Sequence, residues 1–155
     1  MKLIFSRPRL LKTLLNCWPP FWGAGIRIEQ LSHDYSYCRV GLVLRWWNKN
    51  ANGTQYGGSL FSMTDPLYSM LLMALLGPDY LVWDRAGSVT FLKPGRGRVY
   101  ADIHLSRERL DEILRATEGG EKYFPRFRIN IVDERGNLVA EVERTLYVRK
   151  KQTNK

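Results

Sequence analysis

The sequence predicts an α+β domain in which an antiparallel sheet of about six strands wraps around one long central helix. Three observations carry that expectation. Residues 59–76 are apolar on every side, which marks a helix buried all round. Stretches with the two-residue period of half-buried strands stand before and after that run. A helix with no polar face needs a sheet that curls over it, because a flat partner hides only one face. At 155 residues and 18.1 kDa the chain suits a single core, burying roughly 70% of its unfolded surface.

The elements follow in order. Residues 9–18 place Leu10, Leu11, Leu14, Leu15 and Trp18 at helical spacing before Pro19-Pro20, so a short amphipathic helix opens the domain. From Ala24 the pattern alternates: Ile26 and Ile28, a turn over residues 33–36, then Val40, Leu42, Leu44 and Trp46 on one face, which reads as an antiparallel hairpin. Residues 48–58 are rich in Asn and Gly and form a loop into the central helix, which Gly77-Pro78 ends. Residues 88–93 and 98–105 read as strands joined by Pro94-Gly95-Arg96-Gly97. Ser106 caps a short helix with Leu110, Ile113 and Leu114 on one side. Residues 123–132 and 138–149 pair across the turn 133–137. The domain thus divides into a helix at 9–18, a body at 24–149 and a basic tail at 150–155.

Composition narrows the function classes. With 45% hydrophobic and 25% charged residues the chain is globular, neither disordered nor fibrous. Cys17 and Cys38 lie far apart with only His33 and His104 for company, too few ligands for a structural zinc site, and their scarcity fits a reducing cytoplasmic setting. The longest apolar run, 67–76, is about half a membrane crossing, so no integral membrane segment is expected. The net charge of +9 is concentrated at the two ends. Residues 1–28 hold five bases and no acid, residues 144–155 hold five more and no acid, and the rest holds 14 bases against 15 acids. Such ends are either solvated faces or attract an anionic ligand or surface. The near-neutral body and the lack of an aromatic-basic strand motif argue against nucleic acid.

The segment from Asn50 through Gly53-Thr54-Gln55-Tyr56-Gly57-Gly58 to Asp65 resembles the Asn, Gly, His-Gly-Gly and downstream Asp pattern of the phenylacetyl-CoA branch of hotdog-fold acyl-CoA thioesterases. It is still more similar to a second, uncharacterised branch with Gly-Thr and an aromatic before Gly-Gly, as are Pro19-Pro20-Phe21, Gly23-Ala24-Gly25-Ile26 and Phe91 with Lys93-Pro94-Gly95. The resemblance spans roughly residues 9–148. It implies a hotdog fold, a homo-oligomer (a dimer or a dimer of dimers) and hydrolysis of a thioester on coenzyme A or acyl carrier protein, with coenzyme A entering as part of the substrate and no separate cofactor. It makes Asp65 the base that activates water, or the nucleophile itself. Tyr56 stands where the phenylacetyl branch has His, which removes a polar group from beside the oxyanion site.

The chemistry can also be argued from the residues. Backbone N–H groups at a helix start lack intrahelical partners and sit at the positive end of the dipole, so they can receive the oxyanion of an attacked thioester. Gly57 and Gly58 at such a start leave room for a substrate, or serve only as a tight turn. Asp65, in an otherwise apolar run, is expected to be buried with a raised pKa suited to a base; alternatively it caps a second helical segment starting at Pro66. Asn50 orients a carbonyl or a water, or builds an Asx turn. Thr54 and Tyr56 in the loop, and Ser62 and Thr64 on the helix, are the expected substrate contacts, although helix hydroxyls commonly bond back to their own turn. Lys93, Arg96 and Arg98 form a basic turn that would hold coenzyme phosphates, or a solvated tip. The alternative to an enzyme is a non-catalytic acyl-CoA or lipid-binding protein on the same fold.

Overall fold

The computed structural model describes residues 2–152. Three short helices, α1 (Lys2–Phe5), α2 (Pro8–Cys17) and α3 (Pro19–Ala24), lead into strands β1 (Ile26–Leu31) and β2 (Tyr37–Leu42). The centre of the chain supplies α4 (Gly57–Ser62) and α5 (Leu67–Leu76), followed by β3 (Tyr80–Phe91), β4 (Val99–His104), α6 (Arg107–Ala116), β5 (Lys122–Tyr123), β6 (Arg126–Asp133) and β7 (Leu138–Lys150). The strands form one antiparallel sheet in the order β1-β2-β4-β6-β7-β3, with two-residue β5 added to β7.

Local chemistry explains the borders. Pro8 and Pro19 stand in the first turns of α2 and α3, where a missing N–H costs nothing. Gly25 ends α3 in the left-handed region at φ 82°, a conformation that favours glycine. Ser106 Oγ accepts the Arg109 amide at the start of α6, as the capping pattern predicts. Asn16 ties α2 to β1 in both directions, accepting the Ile28 N–H at 2.7 Å and donating to the Ile28 carbonyl at 3.0 Å.

The core is the interior of the curled sheet. Alternate residues Val99, Ala101, Ile103 and Leu105, then Phe127, Ile129 and Ile131, and Val142, Leu146 and Val148 point inward onto Leu60, Met63, Leu67, Leu71 and Leu72. By length and composition Gly57–Leu76 passes for a membrane span; Leu60, Met63, Leu67, Leu71 and Leu72 fill this core, whereas Leu75 is exposed, so the segment is not buried all round as expected.

Further expectations are corrected. The central helix is not continuous: α4 and α5 are separated by a turn at residues 63–66, because Pro66 has no N–H to give and disfavours helical geometry in the residue before it. The strand expected at 88–93 begins at Tyr80. Its partner is β7 and not β4, so Pro94–Gly97 belongs to a crossover connection and not to a hairpin tip. The hairpins β1–β2 and β6–β7 form, but β2 ends at Leu42, so Leu44 and Trp46, expected on its face, fall in the following loop, where Trp46 is exposed.

Candidate active site

The break in the central helix gathers the polar groups. Thr64 is buried, and its Oγ1 donates to the Phe61 carbonyl at 2.8 Å, the back-bond expected of a helix hydroxyl. Above the turn lies Arg144, from the middle of β7 and only 4% exposed. Its Nη2 donates to the Phe61 carbonyl at 2.8 Å and to Thr64 Oγ1 at 3.0 Å, and its Nε to the same oxygen at 3.3 Å. The guanidinium also stacks over the Phe61 ring, 4.0 Å from its centroid.

Asp65 projects from this anchored turn. Its Oδ1 lies 3.8 Å from Arg144 Nη1, and 52% of its side chain is exposed in the single chain. The burial expected for Asp65 is therefore absent: the helix break turns the carboxylate out of the apolar run. Nor does it cap α5, which begins at Leu67 with Pro66 as its N-cap residue and no side-chain cap bond.

A second carboxylate faces the same arginine. Asp84 sits on β3 beside a bulge between Asp84 and Ala86, an irregularity that re-aims side chains. Its Oδ2 accepts Ser69 Oγ at 2.9 Å, and that hydroxyl also reaches the Pro66 carbonyl at 2.8 Å. Burial pushes the Asp84 carboxyl above its ordinary value and the Asp65 charge adds to this, while the Ser69 bond and Arg144 oppose it. Burial also lowers Arg144, against the pull of Asp65 and Asp84. Arg144 and Asp84 escaped sequence reasoning because they lie far from the glycine motif, and Ser69, four residues past Asp65, because a helix serine commonly bonds back to its own turn. The available signals were a basic residue at an inward-facing position of a strand and an acid two residues after the inward-facing Val82.

The other expected residues divide between this cluster and its surroundings. Gly57 and Gly58 open α4, where the Ser59 and Leu60 amides already bond back to the Tyr56 carbonyl, leaving the two glycine amides ahead of the first intrahelical bond. A Cβ on Gly57 would come within 3.0 Å of the Phe91 ring, and one on Gly58 within 2.4 Å of the Tyr56 ring, so an aromatic side chain lies over each glycine. Both rings are more than half exposed.

Asn50 is spent on its own loop. Its Oδ1 accepts the Asn52 and Thr54 amides at 3.0 Å each, and its Nδ2 donates to Thr54 Oγ1 at 3.0 Å and to the Gln55 carbonyl at 3.2 Å. Thr54 is buried in that network, whereas Ser62 is exposed on α4. In the basic turn, Lys93 Nζ bonds Asp133 Oδ2 at 3.0 Å, and Arg98 is ion-paired with Glu29. A mixed-charge cleft joins Lys93, Arg96 and Arg135 to Asp133 and Glu134. The expected three-cation cluster is thereby reduced, since two of its members already serve acids within the chain.

A family model described as a domain of unknown function, DUF4442, matches residues 7–148. The chain belongs to the DUF4442 family. This DUF4442 chain superposes on Pseudomonas aeruginosa PA5026, described as a protein of unknown function and probable thioesterase, with a TM-score of 0.80 and 23% identity, covering 93% of this chain and 96% of that one. The Haemophilus influenzae thioesterase HI1161 gives 0.69 at 17% identity, covering 96% and 94%. A mutant form of the phenylacetic acid degradation protein PaaI from Thermus thermophilus gives 0.58 at 22%, covering 84% and 98%. No curated protein is matched by this DUF4442 sequence. At these identities the likeness establishes the fold, and that fold is the hotdog fold.

Proposed function

We propose that this protein is an acyl-CoA thioesterase in which Asp65 activates the attacking water. The observation that carries the reading is the Asp65 carboxylate, held at a solvent-facing helix break by buried Arg144 and two helical turns beyond the Gly57 and Gly58 amides. Water gives its proton to Asp65 as its oxygen bonds the thioester carbon. The carbonyl oxygen takes the charge and is met by the glycine amides. Collapse breaks the C–S bond, and the departing thiolate takes up the proton. Direct attack by Asp65 would instead pass through an anhydride that water opens. Arg144 keeps the turn and the carboxylate in place.

The solved neighbours described as thioesterases support the same reading. The working unit is a homo-oligomer. β3 is a twelve-residue edge strand with β7 on one side and no described strand on the other, and a second copy would satisfy its free N–H and C=O groups. The cleft with Arg96 and Arg135 is where coenzyme phosphates would bind.

One observation favours a second reading, a non-catalytic acyl-CoA-binding protein. The Tyr56 and Phe91 rings cover the glycines at which a carbonyl must arrive. If the rings stay there, a ligand is gripped without reaching the amides. Hydrolysis of coenzyme A and acyl carrier protein thioesters of graded chain length, run beside Asp65→Asn, decides between the two. A parent that turns over and a folded, ligand-binding Asp65→Asn slower by about a hundredfold or more supports the enzyme. An inactive parent, or a variant as fast as the parent, refutes it.

A further inference from the structure

The protein shows solvent an aromatic patch that neither the core nor the candidate site uses. Trp22 is 71% exposed and Trp46 80%, with Trp47 and Trp18 close to half exposed. Exposed tryptophans scattered singly need no explanation, whereas a contiguous group marks an interaction surface.

The two segments that carry these tryptophans are fastened to each other. The loop after β2 is fastened to the end of α3: the Val43 amide donates to the Gly25 carbonyl at 3.1 Å, Asn48 Nδ2 to the Ala24 carbonyl at 2.8 Å, and Trp47 Nε1 to the Gly23 carbonyl at 3.3 Å. The Trp46 and Trp47 rings meet edge to face, 5.5 Å between centroids, and Trp18 packs on Phe21 at 5.4 Å. One helical turn before Trp18, Leu14 is also exposed at 45%.

Charge identifies the occupant. Residues 1–28 and 35–64, which carry the whole patch, contain no acidic residue. Exposed Arg9, Arg27, Arg45 and Lys49 belong to the same segments, and Arg45 lies over the Trp47 ring, 5.3 Å from its centroid. Glu29, the acid next along the chain, is neutralised by Arg98. Exposed indole rings that put an apolar body into acyl chains, with the Trp47 N–H already given to Gly23, and a border of cations match the chemistry of an anionic membrane surface.

A second copy of the chain is a poorer fit. The patch is carried by α2, α3 and the loop after β2, at the β1 edge of the sheet, where Asn16 of α2 already takes the Ile28 N–H and C=O, while the edge left to invite another copy is β3 at the opposite end. We propose that the Trp18, Trp22, Trp46 and Trp47 surface docks the protein peripherally on an anionic phospholipid bilayer. The docking is independent of whether the candidate site hydrolyses thioesters.

The test is co-sedimentation of the whole protein with vesicles of phosphatidylcholine alone and of phosphatidylcholine mixed with phosphatidylglycerol, at low and high salt. The parent is expected to sediment with the anionic vesicles and to be released by salt. Trp22→Ser with Trp46→Ser, which leaves the Trp47 hydrogen bond and the Trp18–Phe21 contact intact, weakens binding about tenfold or more. Arg45→Gln with Lys49→Gln removes most of the preference for anionic lipid. Quenching of parent tryptophan emission by brominated acyl chains gives a reading that needs no variant, and its absence would overturn the proposal. So would a parent that stays in the supernatant, a tryptophan variant that binds as well as the parent, or a parent indifferent to vesicles whose oligomer dissociates in that variant, which would make the patch a subunit contact.

Discussion

Arg144→Met tests whether the turn bearing Asp65 depends on its buried anchor. The substitution forfeits the bonds to the Phe61 carbonyl and to Thr64 Oγ1 at 2.8–3.3 Å, and hydrogen bonds from a charged donor contribute about 1.5–3 kcal/mol each. Two effects offset the loss. A methionine of similar length carries no desolvation cost, and Thr64 Oγ1 keeps its own bond to the Phe61 carbonyl. Asp65, half exposed, regains water, while Asp84 loses the cation that opposes its burial and is more readily protonated, so neither is left as an orphaned buried charge.

The net destabilisation is about 1–3 kcal/mol, which for a domain of this size lowers Tm by roughly 2–12 °C. Turnover falls further than stability. A carboxylate displaced by about 1 Å costs on the order of a hundredfold, so kcat drops by that factor while KM stays within about threefold. The assay is thiol release under saturating and limiting thioester, well below the variant's Tm, with Arg144→Lys alongside. Lysine keeps the charge without the fork and gives an intermediate kcat. A folded Arg144→Met with kcat within about twofold of the parent would refute the anchoring argument.

Two further outcomes follow from the charges. Asp102 is held below the ordinary carboxylate range by the hydrogen bonds of Arg39 and by the Tyr37 hydroxyl; its stabilisation is present above pH ~4 and disappears as pH falls through the lowered value, whereas Asp84, raised by burial, takes stability away as pH climbs above ~4 through its raised value. Thermal unfolding against pH should therefore show Asp102→Asn losing Tm at neutral pH with a flatter acid limb, and Asp84→Asn losing the decline on the alkaline side of pH ~4. Arg96→Gln should raise KM for a coenzyme A thioester at low salt more than Arg98→Gln does, since Arg98 is already committed to Glu29; equal effects in initial-rate measurements would count against phosphate binding at that cleft.

Most of the fold was open to sequence reasoning because it is written in local periodicity. Val99, Ala101, Ile103 and Leu105 alternate and face inward, Ser106 caps α6, and the apolar run 59–76 gives Leu60, Met63, Leu67, Leu71 and Leu72 to the core. Strand pairing was less accessible. The stretch 80–87 mixes Trp83, Asp84 and Arg85, and its role emerges only through hydrogen bonding to a strand some sixty residues later. The site was half visible for a related reason. Asp65 and the two glycines stand in one segment, and a lone acid in an apolar run draws notice. Arg144 becomes part of the site only when β7 lies across the helix break, and nothing in its neighbours Glu143 and Thr145 announces that. The exposure of Asp65 depends on how Pro66 parts the two helical segments, a three-dimensional consequence of one residue.

The placement of β7 bears on how such a domain is made in the cell. It is the last strand of the sheet to leave the ribosome, yet it lies between β6 and β3 and also pairs with β5. Until it emerges, twelve-residue β3 has none of the partner it pairs with inside the chain, and Arg144 is not there to fasten the helix break. Pairings that span so much sequence form slowly and leave hydrophobic strand edges open to other chains. A nascent chain stalled before residue 138 would thus present an open β3 edge, the kind of surface that chaperones cover.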